Sequence, residues 1–128
     1  MIISWFAEFV ALALMLGQLG LAWVWYPNLP DEIPTHFGFT GKPDGWGPKR
    51  AFWILPAMSV LLYFCISGLR LPGPRGSVLL PVLKAELLAT FLLIEWSQIQ
   101  VAIRSRERLS PMVWILLALT MVTVFLTR

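Results

Sequence analysis

The sequence predicts an all-α integral membrane protein: a bundle of four transmembrane helices in up-down order, with an ordered Pro- and Gly-rich loop between the first two. Three observations carry this reading. Hydrophobic residues make up 58% of the 128-residue chain, against about 45–50% in soluble domains, and the mean hydropathy is +0.74. The apolar residues gather into four stretches separated by polar connectors. The basic residues sit at the ends of those stretches, where Lys and Arg orient spans in a bilayer. No contiguous basic face is formed, so the net charge of +3 does not point to nucleic acid. The length allows one membrane domain, residues 1–128.

The first helix is expected over residues 2–25, long enough for a hydrocarbon core that takes ~20 residues. It lacks a basic n-region and is too long for a cleaved signal peptide. Trp23, Trp25 and Tyr26 read as an aromatic belt at its far end. Glu8 lies near the start, within reach of headgroups, whereas Gln18 is deeper and calls for a partner on another helix. The second helix is expected over 51–69, with Pro56 in its first turns, where a missing N–H costs little. The stretch RLPGPRG, Arg70 to Gly76, then predicts a tight turn and an antiparallel third helix over 77–103. Ser77 is its expected N-cap, and Pro81 falls in its early turns. Ser110 and Pro111 open a fourth helix, 111–127, as N-cap and first helical residue. It is short and needs its flanking residues or a thinned bilayer to cross. Cys65 is the single cysteine, so no internal disulfide exists, and it reads as a small apolar residue of a span.

Four spans put loop 26–50 and loop 104–110 on one side. Lys42, Lys49, Arg50, Arg104, Arg106 and Arg108 count for that side. Arg70, Arg75 and Arg128 count for the other, with Lys84 joining them if it snorkels. The positive-inside rule places the two loops in the cytoplasm of a prokaryotic cell membrane.

The third helix is the least lipid-like. A helix advances about 100° per residue, so Lys84, Leu88, Phe91, Glu95, Gln98 and Ala102 fall near one line. Glu86 lies on the opposite side with Thr90 and Ser97. Ionisable groups within a span face a bundle interior or a wet cavity. Two readings of Glu95 stand: with Gln98 it lines a site, or it hydrogen-bonds inside the bundle, to Gln18 or another helix. Lys84 reads as a snorkelling anchor.

The connector 26–50 is stiff. Pro27, Pro30, Pro34, Pro43 and Pro48 each fix φ, and Gly38, Gly41, Gly45 and Gly47 permit turns. Ile33, Phe37, Phe39 and Trp46 can bury on the bundle or at headgroup level, unlike the side chains of a flexible linker. An ordered cap of turns with little regular structure is expected, folded back so that His36 or Lys49 can approach Glu95 or Gln98. His36 is the only histidine, and Asp44 and Lys49 are candidates to pair with it or with each other. It either titrates near neutrality in a working site or holds the loop through a backbone carbonyl. One His and scattered carboxylates lack metal-ligand spacing, so neither metal nor other cofactor is expected.

The segment LPDEIPTHFGFTGKPDGWGPK, Leu29 to Lys49, followed by FWILP, resembles the signature loop of a widespread prokaryotic membrane domain of unknown function. That domain stands at the front of SdpI-like immunity proteins. The shared pattern is Leu29-Pro30, Ile33-Pro34, His36-Phe37, Gly41, Pro43-Asp44, Trp46-Gly47 and Lys49. It departs at Gly38, usually Asn, and at Pro48, usually Ser or Thr. The resemblance implies a receptor or immunity factor that meets a peptide or membrane-protein partner. The candidate contact residues are Pro34, His36, Phe37, Gly41, Pro43, Asp44, Trp46, Gly47 and Lys49. The alternatives are an accessory subunit of a larger membrane complex, and a small transporter or intramembrane enzyme using Glu95 and His36.

Overall fold

The structure, a computed structural model, describes residues 2–70, 73–105 and 107–126, and of Pro74 the backbone alone. Leu71, Pro72, Arg106, Thr127 and Arg128, which the turn and charge readings use, lie outside the described residues. The chain is mostly helical: α1 (Ile2–Trp25), α2 (Ile54–Ser67), α3 (Pro74–Ala102) and α4 (Met112–Leu126), with a hairpin of β1 (Glu32–Phe37) and β2 (Pro43–Pro48) between α1 and α2. Three helical segments are long and apolar enough to cross a membrane: Ile2–Asn28, Lys49–Ser67 and Arg75–Ala102. α4 is apolar but shorter.

α1 has no internal proline and buries Ala7, Ala11, Met15, Gln18 and Ala22, one face at helical spacing. Pro27 ends it in a 3-10 turn, Tyr26–Asn28, and the Asn28 amide donates back to the Val24 carbonyl at 3.3 Å. A second 3-10 turn, Lys49–Trp53, leads into α2, which therefore begins three residues later than expected. α3 begins three residues earlier than expected. Gly73, at φ 85°, precedes Pro74 at the first helical position, so Ser77 lies inside the helix and is not its cap. At the far end, Ser105 N–H reaches the Gln100 carbonyl (2.8 Å) and Arg104 N–H that of Val101 (3.1 Å). This is a Schellman closure, with Arg104 at φ 63° where glycine is usual. α4 begins at Met112, one residue later than expected, and the Ser110 hydroxyl accepts from Met112 N–H at 3.4 Å.

α3 is the central helix. α1, α2 and α4 all pack on it, and so does β1. That explains its polar residues on two sides. Lys84, Leu88, Glu95, Gln98 and Ala102 are buried on one side. On the other, Thr123 of α4 donates to Glu86 at 2.9 Å, and the Ser97 hydroxyl accepts from Ser110 N–H at 3.0 Å.

Two expectations for this bundle are corrected. Lys84 does not snorkel: it is 1% exposed, because its line of α3 faces the neighbouring helices. Its Nζ donates to both Glu8 oxygens (2.8 and 2.7 Å) and to Ser67 Oγ (2.8 Å), and sits 4.5 Å from the centre of the Tyr63 ring. Glu8 thus serves this pair and not the headgroups. Nor do Trp25 and Tyr26 form an outward belt. Trp25 meets Trp96 edge-on at 5.8 Å, and Tyr26 lies 5.2 Å from Trp53 and 6.5 Å from Phe52; Trp23 alone of the three is strongly exposed.

The pair Glu8–Lys84 ties α1 to α3. Glu8→Leu leaves a buried ammonium without its counter-charge. Because Glu8 is partly exposed, the expected loss is about 2 kcal/mol, below the ~3–5 of fully buried pairs. Unfolding in detergent measures it, and the double variant Glu8→Leu/Lys84→Met should recover most of the loss, since no lone charge then remains.

Candidate functional site

The connector is a β-hairpin and not a string of turns. β1 and β2 pair antiparallel, with Ile33 opposite Gly47, Pro34 opposite Trp46 and His36 opposite Gly45. Bulges lie on either side of His36. The sequence hid this because proline and glycine are poor strand formers. Here the glycines act by absence of bulk. A Cβ on Gly47 would stand 2.9 Å from Thr35 Cγ2, and one on Gly45 3.2 Å from His36 Cβ. Only Gly41 of the hairpin glycines uses a positive φ, 85°, in the turn closed by Gly38 N–H to Lys42 O and Gly41 N–H to Gly38 O, both 2.9 Å.

The hairpin is seated at three places. Leu29 and Ile33 are buried with Ala22, Phe52, Ile99 and Ala102, a small core that joins hairpin, α1 and α3. Gln98 of α3 donates its side-chain amide to the Pro34 carbonyl at 2.7 Å. At the tip, Leu109 N–H donates to the Gly41 carbonyl at 2.7 Å, so loop 26–50 and loop 104–110 meet on the same end of the bundle. Lys49 N–H closes the base onto Asp31 O at 2.9 Å.

What the seating leaves outside is polar and aromatic. His36 Nδ1 pairs with Asp44 Oδ1, both side chains exposed. With Nδ1 committed to the carboxylate, Nε2 is the nitrogen left for a ligand. Phe39 is 98% exposed at the tip and Trp46 47% exposed on β2. Lys49 does not join the His36–Asp44 pair; its Nζ lies 4.8 Å from the centre of the Tyr26 ring. Pro34 and Gly41 are buried seats, while Phe37, Pro43 and Gly47 are half-buried. The nine hairpin candidates therefore divide into seating and presenting residues.

The approach of the hairpin to α3 is real but is made by the β1 backbone. Gln98 donates to the Pro34 carbonyl, and His36 and Lys49 bond elsewhere. Inside the bundle Gln18 finds its partner on α2, accepting from Ser59 Oγ at 2.5 Å. Among the described residues no hydrogen-bond partner reaches Gln18 Nε2, either oxygen of Glu95, or Gln98 Oε1, all buried. Gln18 and Glu95 lie on the faces by which α1 and α3 pack. The described residues hold no cluster of three or more His, Cys, Asp or Glu able to bind a metal.

No sequence signal pointed to the loop 104–110 contact, to Ser59, or to a groove of about 340 Å³ beneath the hairpin. The groove is bordered by Thr35 and His36 on β1, Met58 on α2, Gln98 on α3 and Leu117 on α4.

The segment from mid-α1 through the hairpin into α2 is similar to a known family. A family model described as a domain of unknown function (DUF1648) matches residues 13–60. An uncharacterized protein of Archaeoglobus fulgidus is 41% identical over 51 residues, which cover 37% of this chain and 28% of that protein. The chain thus matches less than a third of that relative's length. No solved structure matches.

Removing a seat should loosen the hairpin and spare the helices. Gln98→Leu strands the buried Pro34 carbonyl, at a cost of about 1–2 kcal/mol. Gly41→Ala strains a positive φ by about the same amount. Hydrogen exchange of residues 32–48 should quicken by roughly tenfold in either variant, while α1 and α3 keep their protection; unchanged exchange would mean the other contacts suffice.

Proposed function

We propose that the protein is a small four-span membrane receptor, of the SdpI-like immunity or signal-relay type, that binds a peptide or membrane-protein partner through the hairpin. The observation that carries this reading is the division of labour in residues 26–50. Ile33, Pro34 and Gly41 fix the hairpin to the bundle, while the His36–Asp44 pair, Phe39 and Trp46 are left exposed. A surface already held in shape loses little entropy on binding. Exposed aromatic side chains beside a polar pair are what interface anchors are made of. The resemblance of Leu29–Lys49 to the SdpI-like signature loop gives the class of partner.

The test is a photocrosslinker placed at Phe39 or Trp46 in intact cells. An adduct of one defined mass is expected, and His36→Ala or Asp44→Ala should reduce it by about tenfold while the membrane content of the protein holds. Adducts of equal yield from Met121, on the outer face of α4, would favour an accessory subunit gripped by its helices. Adducts unaffected by either variant would count against the pair as a binding element.

We further propose that loops 26–50 and 104–110 face the cytoplasm. Lys84 is held by Glu8 and Ser67 inside the bundle, so it adds nothing to the opposite side, and the bias from Lys42, Lys49, Arg50, Arg104, Arg106 and Arg108 is stronger than a simple count suggests. A cysteine at Lys42, in a Cys65→Ser background, should react with an impermeant maleimide only after the cells are opened. Labelling of intact cells would reverse the orientation.

A further inference from the structure

We infer that the groove beneath the hairpin is a lipid site, taking one acyl chain of a bilayer lipid with its head at β1. The inference goes beyond the partner-binding surface. It concerns the side of β1 turned toward the helices, which Thr35 and His36 border, and rests on the helices lying in a membrane.

The groove exists because α2 and α4 both pack on α3 and at most graze one another. The gap between them has α3 as its floor, at Gln98, and β1 as its roof, at Thr35 and His36. Its walls are Ile54 and Met58 of α2 and Val113 and Leu117 of α4. The volume, about 340 Å³, falls in the ~300–1,000 Å³ range of small-ligand sites.

Three features select a lipid as the occupant. The walls are continuous with the outer surface of the helices: Ile54, Met58, Trp114 and Leu117 are all exposed and all border the groove. In a bilayer that outer surface is already covered by acyl chains, so a chain enters sideways without crossing water. The polarity runs the right way along the groove. Apolar side chains line it along α2 and α4, and its polar side chains, Thr35, the His36 ring held by Asp44, and Gln98 bonded to Pro34, gather at the hairpin end, toward the headgroups. The site is also preformed, since the Gln98–Pro34 and Leu109–Gly41 hydrogen bonds fix the roof relative to floor and wall.

The experiment uses the full chain reconstituted in nanodiscs of phosphatidylethanolamine and phosphatidylglycerol, transferred to mild detergent and weighed by native mass spectrometry. Wild-type protein should retain a single lipid after annular lipids are stripped. Met58→Trp, which fills the groove from a partly exposed position, should cut retention by about tenfold. Met121→Trp, an equal change on a lipid-facing position outside the groove, should not. Leu117→Phe fills the same space from α4 and serves if Met58→Trp misfolds. No retained lipid in the wild type, or equal retention in the groove-filling variants and Met121→Trp, would overturn the proposal. So would loss of the hairpin crosslink with retention intact in Met58→Trp, since the groove would then belong to the protein partner. Loss of retention with the hairpin crosslink intact separates the two sites.

Discussion

A helix enclosed on several sides must find partners for its polar side chains among its neighbours. Lys84, Glu86, Ser97 and Gln98 of α3 do so, whereas buried Glu95 has none among the described residues. Every other helix packs on α3, and so does β1. Lys84 takes Glu8 from α1 and Ser67 from the end of α2, Glu86 takes Thr123 from α4, Ser97 takes the backbone of Ser110, and Gln98 takes the backbone of β1. Each bond joins α3 to a different part of the chain. In a bilayer, where apolar side chains gain little from leaving lipid for protein, such polar contacts and close packing set which helices associate.

The hairpin depends on that arrangement. Two strands alone are marginal in water, and these two are rich in proline and glycine, with only Ile33 fully buried among their large apolar residues. Order therefore comes from the seat. Ala22, Phe52, Ile99 and Ala102 receive Leu29 and Ile33, and small residues at Ala22 and Ala102 let the strand come close. The prolines then limit the alternatives open to the unseated segment. The glycines of β2 leave room for Thr35 and His36, so β1 carries these side chains without widening the pair.

The long elements were legible in the sequence, and the direction of their faces was not. The bounds of α1 follow from an uninterrupted apolar run stopped by Pro27, and the opening of α4 from Ser110-Pro111. Periodicity set Lys84 in line with Glu95, but a line on a helix does not say whether it faces lipid or protein. Only the position of α1, through Glu8, decides that. The three-residue shifts at the starts of α2 and α3 arise from end chemistry. Lys49–Trp53 winds as a 3-10 turn, and Gly73-Pro74 starts α3 earlier than Ser77 would. The hairpin was illegible because local preference argues against strands there and tertiary contact overrides it. His36 with Asp44 is one of the pairings the loop residues allowed. The separation of seating from presenting residues was not legible, since it depends on which edge of β1 meets α3. The groove could not be read at all, because it comes from the splay of α2 and α4 about α3.

The Gln98–Pro34 bond couples two parts of the molecule that the sequence keeps far apart. The bond joins a side chain that turns with α3 to a backbone carbonyl that moves with the hairpin. A rotation of α3 by one residue, about 100°, would carry Gln98 off the strand and turn Ile99 away from the core it shares with Ile33. The hairpin therefore sits where it does for only one rotation of α3. That same rotation places Lys84 against Glu8 and Leu88 against Ala11 and Met15 of α1, and it turns Glu86 toward α4. Exposed His36, paired with Asp44, stands on the same strand whose Pro34 carbonyl is hydrogen-bonded to the central helix. The surface that presents the site and the helix that organises the bundle thus share one degree of freedom, and neither can shift without straining the other.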